Sequence, residues 1–212
     1  LVEEYIKLLK NYDPEKIIML SHTNVAADEL KEAVLELPEI KEKRGLKKKF
    51  FKYKICTIHS FCKSKLLKKE LITYADYLNL CAENSGFKAQ RVTQSEFNDD
   101  KHKFFKFLGD AFGQGRTIKE HWNSLKETSS NYYPYNNFRM IYEMKEVYDN
   151  YKKVNQVCDY NDMVKDFIDH AVVPDIDVLI VDEAQDSNVP QIKALEKMST
   201  NVKEYYMVGD AD

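Results

Sequence analysis

The sequence predicts an α/β fold, a buried parallel sheet flanked by helices, with an all-helical insertion. Three observations carry this prediction. First, Val178-Leu179-Ile180-Val181 is a continuous branched apolar run of strand length, the pattern of a strand buried on both faces. Second, the runs at 17–20, 53–56 and 205–208 are also apolar and are followed by polar residues, as the central run is, at Ser21, Thr57, Asp182 and Asp210. Helical periodicity separates these runs, as in layered α/β domains. Third, residues 63–155 are charged and aromatic-rich, mostly helical in period, and contain no convincing buried strand.

The elements follow in order. Leu1, Val2, Tyr5, Leu8 and Leu9 share one helical face. Asp13-Pro14 marks a turn before the first strand. After Ser21 a helix is expected with Asn24 as cap, Asp28 and Glu29 in its first turn, and Ala27, Leu30, Val34 and Leu37 on its buried face, ending at Pro38. Residues 53–56 give the next strand. Leu66, Leu67, Leu71, Tyr74, Leu78 and Cys81 suggest helical faces, broken by Gly86, Gly109, Gly113 and Gly115. Residues 131–137 read as a loop, and 140–154 as one long helix with Ile141, Met144, Val147, Tyr148 and Tyr151 inward. Most aromatics here are expected in the core, with Trp122, Tyr132 and Tyr133 as weak candidates for base stacking. Asp159 or Asn161 caps the next helix, which buries Met163, Val164 and Phe167. Val189-Pro190-Gln191 opens a helix with Ile192, Leu195 and Met198 inward.

Composition narrows the class. With 212 residues the chain can bury one core, or one core with a satellite domain, and 43% hydrophobic and 32% charged residues are ordinary for a soluble globular protein. No apolar run approaches the ~20 residues that span a membrane. Cys56, Cys62, Cys81 and Cys158 form no C-x-x-C pair, and read as reduced thiols of an intracellular, cytoplasmic protein. The net charge of -3 gives no global nucleic-acid signal. Locally, Lys41, Lys43, Arg44, Lys47, Lys48, Lys49, Lys52 and Lys54 face one acid, Glu42. Such a run attracts phosphate backbones, although a solvated basic loop has the same composition.

The chemistry concentrates at Asp182-Glu183-Ala184-Gln185-Asp186, beyond the central strand, where open α/β sheets bind ligands. Asp182 could hold Mg²⁺ directly or through water, and Glu183 could orient and deprotonate a water. An acidic cap, with Asp186 or Ser187 starting the next helix, is the structural alternative. At the other strand ends, His22, Thr23 and Asn24, and Thr57, His59 and Ser60, are either caps and core groups or donors to phosphate oxygens.

The string D-E-A-Q-D resembles the Walker B motif of UvrD/Rep-type superfamily-one DNA helicases. The resemblance implies that Asp182 serves Mg²⁺, that Glu183 is the catalytic base, and that Gln185 couples nucleotide state to DNA. Four further strings agree, in the family's order. Ser21-His22-Thr23-Asn24-Val25-Ala26-Ala27 resembles T-F-T-N-K-A-A, with His22 and Val25 as departures. Thr57-Ile58-His59-Ser60-Phe61 resembles T-F-H-S-F. Val208-Gly209-Asp210 resembles the start of V-G-D-x-x-Q, and Asp159-Tyr160-Asn161-Asp162-Met163 resembles D-F-D-D-L, with Asn161 and Met163 departing. By resemblance the fold is a RecA-like P-loop NTPase domain, in two parts at 1–62 and 156–212, around a helical insertion at 63–155. The implied cofactors are ATP and Mg²⁺, both near Asp182, Glu183 and Asp210, with Asp182 as the metal residue. The implied partners are single-stranded DNA, at His22, Thr23, Asn24, Thr57, His59 and Ser60, duplex junctions, and replication or repair proteins. No G-x-x-x-x-G-K-[ST] loop occurs. The resemblance therefore implies an internal piece of a helicase, lacking that loop and the second motor domain, and expected not to turn over ATP well alone. Two other classes stay open: a non-catalytic DNA-binding module, and a metal-dependent nuclease built on Asp182, Glu183 and Asp210.

Overall fold

A computed structural model describes residues 1–41, 50–65, 69–98, 102–128 and 137–210. Lys43, Arg44, Lys47, Lys48 and Lys49 of the basic run, Leu66 and Leu67, and Tyr132 and Tyr133 lie outside the described residues, as does most of the 131–137 stretch. In chain order the described elements are α1 (Val2–Leu8), β1 (Ile17–Ser21), α2 (Asn24–Leu35), α3 (Pro38–Lys41), β2 (Ile55–Thr57), α4 (Ile58–Ser64), β3 (Glu70–Leu71), α5 (Tyr74–Glu83) and α6 (Ser85–Ala89). They continue with α7 (Gln94–Asn98), α8 (Lys103–Gly113), α9 (Ile118–Thr128), α10 (Phe138–Asn155), β4 (Val157–Cys158), α11 (Tyr160–His170), β5 (Val178–Val181), α12 (Val189–Ser199) and β6 (Glu204–Met207). They form two compact units, Leu1–Leu67 with Met163–Asp212, and Lys68–Asp162.

The first unit is the predicted α/β layer. Its sheet runs β2-β1-β5-β6, and every neighbouring pair is parallel. Apolar, β-branched runs choose the interior strands: all of β1 and β5 is buried. Side chains alternate across a strand. Ile17, Met19, Val178 and Ile180 share one core with Tyr5, Leu8, Val34 and Phe51. The alternate residues Ile18, Leu20, Leu179 and Val181 are equally buried. The strands also align at their carboxyl ends, pairing Ser21 with Thr57, Leu20 with Val181, and Val181 with Met207. That alignment brings the polar residues after each strand to one edge.

Several sequence expectations need correction. α2 is capped by Thr23, whose hydroxyl accepts from the Ala26 amide at 3.1 Å, and Asn24 is already helical. Asp28 and Glu29 therefore sit beyond the first turn. Pro38 does not end α2; it opens α3, where its missing N–H costs nothing. Tyr53 belongs to a 3-10 turn before β2. Asn188, not Asp186 or Ser187, caps α12, in a reciprocal box with Gln191. Ile192 is consequently exposed while Gln191 is buried. β6 alternates between half-buried and exposed instead of being buried on both faces.

The second unit is helical around an aromatic core of Tyr77, Phe87, Phe104, Phe107, Trp122 and Tyr148. Trp122 is only 5% exposed, which removes it as a base-stacking platform. Leu71 lies in β3, which pairs in parallel with β4, a two-residue ladder missed by the sequence reading. Gly86, Gly109 and Gly113 sit inside helices, whereas Gly115, at φ 65°, does break the chain. α10 extends the predicted helix and buries Ile141, Met144, Tyr148 and Tyr151, with Val147 partly buried. Asp159 caps α11 by accepting from the Asp162 amide, while Asp162 accepts from the Asp159 amide. All four cysteines are buried free thiols. Among the described residues no helix is long and apolar enough to cross a membrane.

Two predictions arise here. Gln156 ends α10 at φ 55° and ψ 35°, the left-handed conformation that glycine adopts without strain. Gln156→Gly is expected to stabilise the protein by roughly 0.5–1 kcal/mol, read as a higher urea midpoint; a lower midpoint would contradict this. His102 is 1% exposed, packs among Tyr77, Phe87 and Phe105, and neither ring nitrogen has a hydrogen-bond partner among the described residues. Burial pushes its pKa down to about 4. The folded state therefore binds fewer protons than the unfolded chain as pH falls from about 6.5. Stability is full above that pH and declines toward pH 4, by up to roughly 1.4 kcal/mol per pH unit. Urea unfolding at pH 7 and pH 5 measures the decline. An unchanged slope in His102→Leu would assign it elsewhere.

Candidate active site at the carboxyl ends of the sheet

The candidate site grows from the end of β5. The ladder to β1 runs one residue past the strand, because the Asp182 amide donates to the Leu20 carbonyl at 2.8 Å. On the other side the Val208 amide donates to the Val181 carbonyl and the Ala184 amide to the Val208 carbonyl, both at 2.9 Å. The turn after β5 is thus clamped from both neighbouring strands. It reverses at Glu183, which takes the left-handed φ of 51° and ψ of 44°. A non-glycine residue there stores strain of the order of 1 kcal/mol. A 3-10 turn, Ala184–Asp186, follows, closed by the Asp186 amide on the Glu183 carbonyl at 3.0 Å.

The side chains divide by burial. Asp182 is half-buried. Burial, then the Glu183 charge, pushes its carboxyl pKa up, against the nearby His22. Glu183 is exposed, and Gln185 Nε2 donates to Glu183 Oε2 at 2.6 Å. One residue past Leu20, the Ser21 hydroxyl is buried with no hydrogen-bond partner among the described residues. Adjacent carboxylates after β5 and a spare hydroxyl at the end of the neighbouring β1 offer oxygen donors only. Such a set fits a hard divalent ion that keeps several waters.

Of the other candidates, His22 Nε2 lies 3.0 Å from Ser187 Oγ. Burial lowers the His22 pKa despite Asp186, Glu183 and Asp182, and burial, then His22, lowers that of His59. Both shifts disfavour the imidazolium form, the form that would pair with a phosphate charge. Thr23 and Asn24 are exposed. Thr57 is 6% exposed, and its hydroxyl donates to Ser60 Oγ at 2.9 Å while accepting from the Ser60 amide, capping α4. Asp210 is exposed, in the segment after β6. Among the described residues no three His, Cys, Asp or Glu side chains gather as a metal cluster, so Asp182, Glu183 and Asp210 do not form a three-carboxylate centre.

Sequence reasoning gave Ser187 only as a helix start and Gly209 only as part of the Val208-Gly209-Asp210 string, neither as a site residue. A β-carbon built on Gly209 would lie 1.9 Å from Gln185 Oε1 and 3.3 Å from the Ala184 amide nitrogen. A glycine placed between a strand end and an acid is the available signal for such a close approach.

Comparison with known proteins adds two findings. The family model described as the UvrD/REP helicase N-terminal domain matches residues 1–212. The chain is also similar to a protein named ATP-dependent DNA helicase Rep, from Buchnera aphidicola subsp. Baizongia pistaciae (strain Bp), at 22% identity over 228 residues. That match covers 100% of this chain and 31% of the relative, so the chain spans about a third of the relative's length.

Proposed function

This chain belongs to the UvrD/REP helicase N-terminal domain family, and from that membership we propose that it is part of an ATP-dependent motor. In this reading ATP hydrolysis drives 3′-to-5′ movement on single-stranded DNA and unwinds duplex junctions. The observation that carries the reading is the pair Asp182-Glu183, delivered by a fully buried interior strand and clamped by both neighbours. The unit Leu1–Leu67 with Met163–Asp212 acts as the RecA-like ATPase layer, and the unit Lys68–Asp162 as its helical insertion.

The roles follow from chemistry. Asp182 would hold Mg²⁺ directly or through a water, and Asp210, in the segment after β6, would belong to the same nucleotide site. The bound ion neutralises charge on the phosphate oxygens. Glu183, exposed and oriented by Gln185, accepts the proton of the attacking water. No residue of this chain is assigned to the phosphate cradle, because the G-x-x-x-x-G-K-[ST] string does not occur in it. His22, Thr23, Asn24, His59 and Ser60 form the DNA-facing rim: imidazoles stack on bases, and hydroxyl and amide groups donate to phosphates. Thr57 acts there by capping α4. Replication or repair proteins are the expected partners, and an intracellular location the expected setting.

Strand displacement by the full-length protein tests this reading. Duplexes with a 3′ single-stranded tail are expected to be unwound with ATP, and those with a 5′ tail are not. Salt-sensitive DNA binding without displacement or hydrolysis would favour a non-catalytic module. DNA cleavage with Mg²⁺ and no ATP would favour a nuclease.

A further inference from the structure

We propose that Gly209 is a positioning residue for Glu183, acting through Gln185. The proposal rests on the hydrolytic role given to Glu183 above. Three observations meet at this point. The segment after β6 is bonded to the turn after β5, through the Ala184 amide and the Val208 carbonyl at 2.9 Å. Gln185 reaches back to Glu183 Oε2 at 2.6 Å. The space that Gln185 uses is the space that a side chain on residue 209 would fill, since a β-carbon there would come within 1.9 Å of Gln185 Oε1 and 3.1 Å of its Cδ.

The backbone of Gly209 is not in the left-handed region, where Gly115 is the glycine found among the described residues. Room, not conformational freedom, is therefore what demands glycine at 209. The consequence is mechanical. Gln185 Oε1 occupies the space over Gly209 while its nitrogen donates to one carboxylate oxygen of Glu183. The other oxygen is left to accept from a water. Glu183 is already fixed by its left-handed backbone, so its carboxylate direction depends on Gln185, and that of Gln185 on Gly209. A shift of the 208–210 segment is thereby passed to Glu183 through one amide.

The test is a double-mutant cycle in the full-length protein, comparing Gly209→Ala, Gln185→Ala and the pair, with kcat and KM for ATP measured at saturating single-stranded DNA. Gly209→Ala is expected to lower kcat about tenfold or more, as misplacing a catalytic group by about an ångström does, with KM for ATP changed less than about threefold. Once Gln185 is Ala the clash is gone, so adding Gly209→Ala is expected to cost less than about twofold, a strong coupling between the sites. Equal losses in both backgrounds would overturn the proposal and assign the glycine to the Ala184 backbone instead. So would a Gly209→Ala protein with unchanged kcat. If Gly209→Ala alone fails to fold, the paired variant should fold; failure of both overturns the proposal. A wild-type protein without ATP hydrolysis would sink the role of Glu183 itself. The spatial part is then read from the Gln185 side-chain amide NMR signals, which Gly209→Ala should shift and which, left unmoved, would overturn it.

Discussion

If Glu183 is the base of the proposed motor, Glu183→Gln in the full-length protein is expected to lower DNA-stimulated ATP hydrolysis by about 10²- to 10⁴-fold, the usual worth of a general base, with ATP and single-stranded DNA binding retained. The substitution keeps the shape of the side chain and a hydrogen-bond acceptor, but removes the group that takes a proton from water. Glutamine tolerates the left-handed backbone at 183 about as well as glutamate, so the stability of the α/β unit should be nearly unchanged. Asp182→Asn acts differently. With Asp182 as the proposed Mg²⁺ ligand, it is expected to weaken the hold on the metal, and excess metal should restore part of the rate. Steady-state phosphate release across a Mg²⁺ titration separates the two. Activity of Glu183→Gln within about threefold of wild type would remove Glu183 as the base.

Lys152→Met destabilises the helical unit by roughly 3–5 kcal/mol, the cost of leaving a buried charge without its partner. Lys152 Nζ lies 2.9 Å from Asp159 Oδ2 and 2.8 Å from Asp162 Oδ2, with its side chain 11% exposed. It also sits 4.4 Å from the centre of the Tyr148 ring, whose hydroxyl donates to Asp159 at 3.0 Å. Burial acts to raise the Asp159 pKa, but the Lys152 charge, its hydrogen bond and the Asp162 amide bring it below the usual range. Asp162, beside Asp159, is raised by burial and by that neighbour's charge. Methionine fills the volume of the lysine stem but leaves the acids facing each other. Adding Asp159→Asn should recover part of the loss, because asparagine can still accept from the Asp162 amide and cap α11. Urea unfolding measures both steps. A loss below about 1 kcal/mol for Lys152→Met would show a solvent-relaxed cluster of the surface type.

The interior of the sheet was legible because its strands are written in consecutive apolar residues. Val178–Val181 and residues 17–20 carry no polar position that could face water. The edges were less legible. Tyr53 is apolar enough to extend a strand, yet the chain is still in a 3-10 turn there. β6 has the composition of a buried strand but is exposed on alternate residues, which only its neighbours decide. β3 and β4 are two residues each, too short for any period, and pair across 87 positions at Glu70 and Val157. Helix ends went wrong by one or two residues where two good caps adjoin, as at Thr23-Asn24 and Ser187-Asn188. At the candidate site, Asp182, Glu183 and Gln185 could be singled out because they follow one strand in an unusual string. Gly209 was legible as part of the Val208-Gly209-Asp210 string, but its approach to Gln185 was not, because it joins the segment after β6 to the turn after β5.

The first measurement to make is ATP hydrolysis by the full-length protein with and without single-stranded DNA, in Mg²⁺ and in its absence. If the strand-end carboxylates serve a DNA-driven motor, hydrolysis is slow without DNA, rises at least about tenfold with it, and disappears without Mg²⁺. Hydrolysis absent under every condition, in a folded protein that still binds DNA, would contradict that role for Asp182 and Glu183.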